Sequence, residues 1–144
     1  MTDKAVPFFF FFTVHRDLEG ELVEVLRSAL RTAGFIGGPM VQAFEEEFAR
    51  FCHAQHCIGA SSGTDALRFA LVAAGVQQGD IVITVPNTFI ATTEAISQVG
   101  ARPDFVDVDA STYTIDPEKL RAYLNEQCSW NAELQRTIHH ETGK

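Results

Sequence analysis

Two short segments of this chain combine residue types suited to holding a flat, phosphorylated molecule. The first, Ala60-Ser61-Ser62-Gly63-Thr64, offers small side chains, hydroxyls and backbone N–H groups just ahead of a helical pattern. A helix amino terminus leaves its first N–H groups unpaired and carries partial positive charge, so a phosphate dianion is stabilised there without lysine or arginine. Gly63 allows close approach of the backbone. Taken alone, the same residues favour the plainer reading of a helix cap through Ser62 or Thr64. They form neither a Gly-Lys-Ser/Thr phosphate loop nor a G-x-G-x-x-G turn, which counts against a nucleotide site.

The second segment, Thr88-Phe89-Ile90-Ala91-Thr92-Thr93, places an aromatic ring just past an apolar strand pattern. Phe89 can stack on a planar ring, an arrangement worth roughly 0.5–1.5 kcal/mol beyond burial. As an isolated residue it also suits a hydrophobic core at the start of a helix. A third cluster, Cys52-His53-Ala54-Gln55-His56-Cys57, holds four potential metal ligands in six residues. Structural zinc sites pair two separated ligand knuckles, and this sequence has no second one, so no metal is expected.

The elements that must position these residues are readable from periodicity. Apolar residues at Leu18, Leu22, Val25, Leu26, Ala29 and Leu30 predict a helix over 18–33, stopped by Gly34. A second helix carries Val41, Phe44, Phe48 and Phe51 on one face. Then the rhythm changes to a strand at 56–60, a helix at 64–74, a strand at 81–85, a helix at 88–99 and a strand at 103–108. A last helix starts at Asp116-Pro117, a good cap followed by proline in the first turn. Alternating strands and helices with short connections predict an open, mostly parallel α/β sheet covered by helices on both faces. Ligands of such sheets lie at the carboxyl ends of the strands, which points to the loops at 61–64, 86–89 and 107–112.

Composition narrows the classes of function. A chain of 144 residues with 46% hydrophobic content suits one domain or part of one. Its 19 acidic against 11 basic residues give a net charge of -8, which disfavours nucleic acid as a partner. Three cysteines, Cys52, Cys57 and Cys128, without dense spacing suit free thiols in a reducing, cytoplasmic setting. The run Phe8-Phe9-Phe10-Phe11-Phe12 is far shorter than the ~20 residues of a membrane span. It follows Asp3, Lys4 and Pro7 and lacks an Ala-x-Ala cleavage pattern, so it is read as an extended edge segment rather than a secretion signal.

Read in order, Gly-Phe-Ile-Gly-Gly-Pro-Met-Val-Gln-Ala-Phe-Glu, Ser-Ser-Gly-Thr-Asp-Ala-Leu and Gly-Asp-Ile-Val-Ile-Thr-Val-Pro-Asn-Thr-Phe-Ile-Ala-Thr closely resemble the DegT/DnrJ/EryC1/StrS family of sugar aminotransferases. The strand Phe105-Val106-Asp107-Val108-Asp109 fits as well, and the resemblance runs from about residue 6 to residue 124. It implies the amino-terminal part of the large domain of a type I aminotransferase fold, incomplete in this chain. It further implies pyridoxal phosphate as cofactor, nucleotide-linked keto-sugars as substrates, glutamate as a common amino donor, and a homodimer. Carried over by position, Ser62, Gly63 and Thr64 would hold the cofactor phosphate and Phe89 would lie against its ring.

The resemblance divides the chain into an amino-terminal segment and helix at 1–38, a partial cofactor-binding α/β domain at 39–124 and a connection cut short at 125–144. The family's ring-nitrogen carboxylate and cofactor-bonding lysine come later than Leu124. Of the lysines present, Lys4, Lys119 and Lys144, none matches that position, so no catalytic residue is assigned and the chain is expected to be inactive as it stands. Some relatives replace that lysine with histidine and dehydrate sugars, which leaves the parent reaction open. A non-catalytic α/β interaction module is the competing expectation.

Overall fold

The computed structural model describes residues 12–144. Within it the chain forms two compact units, one up to Gly59 and the other Ala60–Lys144. The phenylalanine run, apart from Phe12, lies outside the described residues.

The first unit carries α1 (Phe12–Thr32) and α2 (Pro39–Phe51). The apolar stripe predicted a start near Leu18, but the helix already includes Phe12. A stripe marks the side that seeks burial, while polar residues such as Arg16 and Asp17 extend the backbone spiral without contributing to it. α2 begins where Gly37 (φ 63°) and Gly38 (φ 92°) turn the chain through the left-handed region and hand it to Pro39, whose fixed φ suits the first helical turn.

The second unit carries α3 (Gly63–Ala73), β1 (Ile81–Thr84), α4 (Ala91–Gln98), β2 (Arg102–Phe105), α5 (Pro117–Gln127), β3 (Cys128–Asn131) and β4 (Arg136–His139). β1 and β2 pair in parallel, with Ile81 opposite Arg102 and Thr84 opposite Phe105. Arg102 N–H donates to Asp80 O (2.8 Å) and Val106 N–H to Thr84 O (2.9 Å), which extends the ladder at both ends. α4 is the crossover such a pair requires, and it packs on both β2 and α3. Ala95, Ile96, Ala101 and Val106 form the buried core of this unit, with Ile96 only 2% exposed.

Two expectations need correction. Residues 56–60 form no strand. Gly59 donates its N–H to Glu45 Oε1 (2.7 Å), and Ile58 is 85% exposed. An apolar run becomes a strand only where a neighbour accepts its ladder, and here a side chain takes the backbone donor instead. Leu120, Leu124, Cys128 and Leu134 have the spacing of a partial helical stripe, yet the region after Gln127 does not continue the helix. It is an antiparallel hairpin, with Cys128 opposite His139 and Asn131 opposite Arg136. Asn131 Oδ1 accepts from Glu133 N–H and Leu134 N–H (3.0 Å each), a local turn that competes with helix propagation.

Many large apolar side chains remain exposed, among them Leu22, Leu26, Leu30, Phe48, Phe51, Leu67 and Val72. A surface of that kind drives association in water. The purified chain should bind a hydrophobic dye strongly and elute from size exclusion as concentration-dependent assemblies. A sharp monomer peak with cooperative thermal unfolding is the outcome that contradicts this.

Candidate functional site

The Ser62–Thr64 segment opens α3. Ser62 is the N-cap, in extended geometry, and its Oγ accepts from Asp65 N–H (3.1 Å). Ser62 O accepts from Ala66 N–H (3.0 Å), the first intrahelical bond. Among the described residues no acceptor takes the N–H groups of Gly63 and Thr64, as expected for the first turn of a helix. A Cβ added at Gly63 would meet nothing within 4 Å, so the approach to this turn is open. The capping role and the cradle role of Ser62 are therefore compatible: the cap uses one lone pair of its oxygen and leaves the neighbouring donors available.

A carboxylate in the first turn complicates anion binding there, and sequence reasoning passed over it. Asp65 is neutralised locally: Ser61 Oγ donates to its Oδ2, and Arg68 Nη2 lies 2.9 Å from its Oδ1. The Ser61 hydrogen bond first and then Arg68 hold its carboxyl below the usual range. The i, i+3 spacing of Asp65 and Arg68 is the signal that could have revealed this pair. With its charge compensated, the helix end keeps its attraction for an anion.

Phe89 lies in the loop between β1 and α4 and is 76% exposed. It borders a shallow cleft of about 310 Å³ with Pro86, Thr88, Ile90, Thr93 and Phe105. Ser62, Gly63 and Thr64 do not line that cleft. The structure thus gathers the three cradle residues at one helix end and sets the ring of Phe89 at the carboxyl end of β1, beside Phe105 at the end of β2.

The third loop, 107–116, is rigidified by its own carboxylates. Asp109 accepts from Ser111 Oγ, from Ser111 N–H and Thr112 N–H (2.9 Å each), and from Thr112 Oγ1 (3.2 Å). These hydrogen bonds, that of the Ser111 hydroxyl foremost, pull its carboxyl down to about 2. Lys119 Nζ reaches Asp107 Oδ2 (3.1 Å) and Val108 O (3.4 Å) and lies 3.8 Å from Asp116 Oδ2. The Asp107 hydrogen bond raises the pKa of Lys119 against the opposing effect of burial. Its amine is thereby held as an ammonium and is not a free nucleophile.

Cys52, Cys57 and Cys128 are free thiols. Among the described residues, no three His, Cys, Asp or Glu side chains are grouped to hold a metal, and no helix is long and apolar enough to cross a membrane.

The family model of the DegT/DnrJ/EryC1/StrS aminotransferases matches residues 16–130. The chain belongs to this family. It is 42% identical over 99 residues to the UDP-2-acetamido-2-deoxy-3-oxo-D-glucuronate aminotransferase of Pseudomonas aeruginosa, covering 69% of this chain and 28% of that protein. In structure it resembles S. venezuelae DesV, crystallised in complex with a ketimine intermediate, at a TM-score of 0.77 and 34% identity, over 81% of this chain and 32% of that one. It also resembles NtdA of Bacillus subtilis with bound cofactor PMP, at a TM-score of 0.73 and 32% identity, over 85% of this chain and 29% of that one. The chain spans about 30% of the length of the curated relatives it matches. The α/β fold read from the sequence is thus that of the large domain of these aminotransferases, in part.

Two outcomes follow from the site. Gly63→Ala should leave thermal stability unchanged or slightly raised, since its methyl meets no atom within 4 Å and alanine favours helix. A phosphate seated on this turn would meet the same methyl, so a cradle at Gly63 predicts several-fold weaker pyridoxal phosphate binding in a fluorescence titration. The Asp109 loop, whose carboxyl titrates lower in the fold than in the unfolded chain, is stabilised above the unfolded value of 3.8 and loses that contribution as pH falls toward about 2. Protection of the Ser111 and Thr112 amides, measured as exchange relative to the intrinsic rate at each pH, should therefore fall over that interval in the native protein and stay level in Asp109→Asn.

Proposed function

We propose that this chain furnishes the phosphate-holding part of a pyridoxal phosphate site in an aminotransferase of nucleotide-linked keto-sugars. The observation that carries the reading is the open first turn of α3, where Gly63 and Thr64 present unpaired N–H groups beside the Ser62 hydroxyl. A phosphate monoester fits that donor set without a cationic side chain. Phe89, exposed at the carboxyl end of β1, supplies a face for the planar ring. When bound, the cofactor supplies an electron sink at an amino-bearing carbon.

In this reading Ser62, Gly63 and Thr64 anchor and Phe89 orients, while the described residues contribute no base for moving the proton. Lys119 pairs with Asp107 and Asp116, and the Lys144 side chain lies along Gly79. The chain by itself is accordingly inactive in transamination. Glutamate as amino donor, a homodimeric assembly and a cytoplasmic setting belong to the same reading, by analogy with the family.

The test is reductive trapping. The chain is incubated with pyridoxal phosphate, reduced with borohydride and mapped by peptide mass spectrometry. Saturable binding without a stoichiometric pyridoxyl group at one lysine is expected. A single, fully labelled Lys119 or Lys144 would sink the inactive assignment, and loss of all saturable binding would sink the phosphate cradle.

A further inference from the structure

The second unit holds a cavity that the cofactor reading leaves unused. It has a volume of about 280 Å³, at the small end of ligand pockets, and lies between β1, α5 and the β3–β4 hairpin. Val76, Ile81, Ile83 and Leu124 give it aliphatic walls. None of Ser62, Gly63, Thr64 or Phe89 lines it.

Its polar groups are unequally committed. Tyr123 donates its hydroxyl to Asp104 Oδ2 (2.7 Å), and Asp80 Oδ2 accepts from Gln77 N–H (2.8 Å), so both are occupied. His139, which also lines the cavity, is 6% exposed, and its Nδ1 is buried without a hydrogen-bond partner. A buried imidazole nitrogen left unpaired is destabilising, which makes it the place where an incoming polar atom gains most. At the rim, Arg136 and Lys144 make no side-chain ion pair among the described residues.

We propose that this cavity binds a small monocarboxylate with an aliphatic or single-ring body. The walls take the hydrocarbon, Arg136 and Lys144 take the charge, and His139 Nδ1 meets a carboxyl oxygen or a hydroxyl beside it. Asp80 at the same wall disfavours a dianion, which separates this ligand class from the phosphate drawn to α3. The hairpin that completes the cavity, residues 128–139, lies mostly beyond the family match, which ends at residue 130.

The probes are hexanoate and its neutral counterpart hexanol, titrated into the full chain and followed by amide and methyl NMR. Saturable shifts confined to Ile81, Ile83, Leu124 and His139 are expected for hexanoate. Arg136→Gln should weaken hexanoate about tenfold, the scale of a lost charged hydrogen bond, and leave hexanol unchanged. Lys144→Gln, at an exposed position, provides a second test of the same term should Arg136→Gln unfold the hairpin. Equal binding of hexanol and hexanoate in the native chain overturns the assignment to carboxylates. Shifts spread over the exposed apolar helices, or no saturable shifts at all, overturn the site.

Discussion

Everything the second unit presents to a ligand depends on the parallel pairing of β1 with β2. Parallel strands cannot be joined by a tight turn, so pairing Ile81 with Arg102 and Thr84 with Phe105 requires the chain to leave β1, cross as α4 and return. That crossover sends the 85–90 loop, with Phe89, off one carboxyl end and the 106–116 loop off the other. It also lays α4 against α3, so the α3 turn is fixed indirectly through helix packing rather than by a strand of its own. Removing the ladder would leave the α3 turn, the Phe89 loop and the acidic loop as unconnected fragments.

What secures the ladder is modest. Two hydrogen bonds extend it beyond the strands, and Tyr123 ties α5 to β2 through Asp104. For Asp104, burial acts to raise the pKa, yet the bond from Tyr123, the Phe105 N–H and the charge of Arg102 outweigh it and leave the carboxyl lowered. Burial and the same bond push the Tyr123 hydroxyl up, so the pair stays a donor and an acceptor across the ordinary pH range. A neutral donor on a carboxylate gives direction without adding a second charge that would need solvation. The tie therefore orients α5 at little electrostatic penalty.

Much of this organisation is legible in the residues themselves, because local chemistry decides it. Asp116-Pro117 marks the start of α5, and Asp116 Oδ1 indeed accepts from Glu118 N–H and Lys119 N–H (2.9 and 3.2 Å). Gly100, at φ 78°, ends the α4 segment where the turn to β2 needs a left-handed residue. β1 and β2 fall close to their expected places because each follows a glycine turn, Gly79-Asp80 ahead of the apolar run of β1 and Gly100 ahead of β2. The strand expected at 56–60 fails since strand formation is a property of two segments, and sequence pattern describes only one. The hairpin after Gln127 escapes notice because Asn131 and Gln135, the latter at φ 52°, supply turn geometry without the usual glycine. At the candidate site, residue types singled out Ser62, Gly63, Thr64 and Phe89, but could not show that Phe89 shares a cleft with Phe105.

The two buried alanines, Ala95 at 0% exposure and Ala101 at 7%, bear on how this unit can drift over time. They let α4 and the chain entering β2 approach closely, so the tolerance of these positions is set by volume, not by chemical type. Glycine fits but loosens the helix at Ala95, and serine fits but brings a hydroxyl that must find an acceptor. Anything larger has to displace the crossover itself. Exposed loop positions other than Phe89 can therefore diversify while these two methyl groups stay small, and a lineage could change what the loops recognise long before it could change how the crossover is seated.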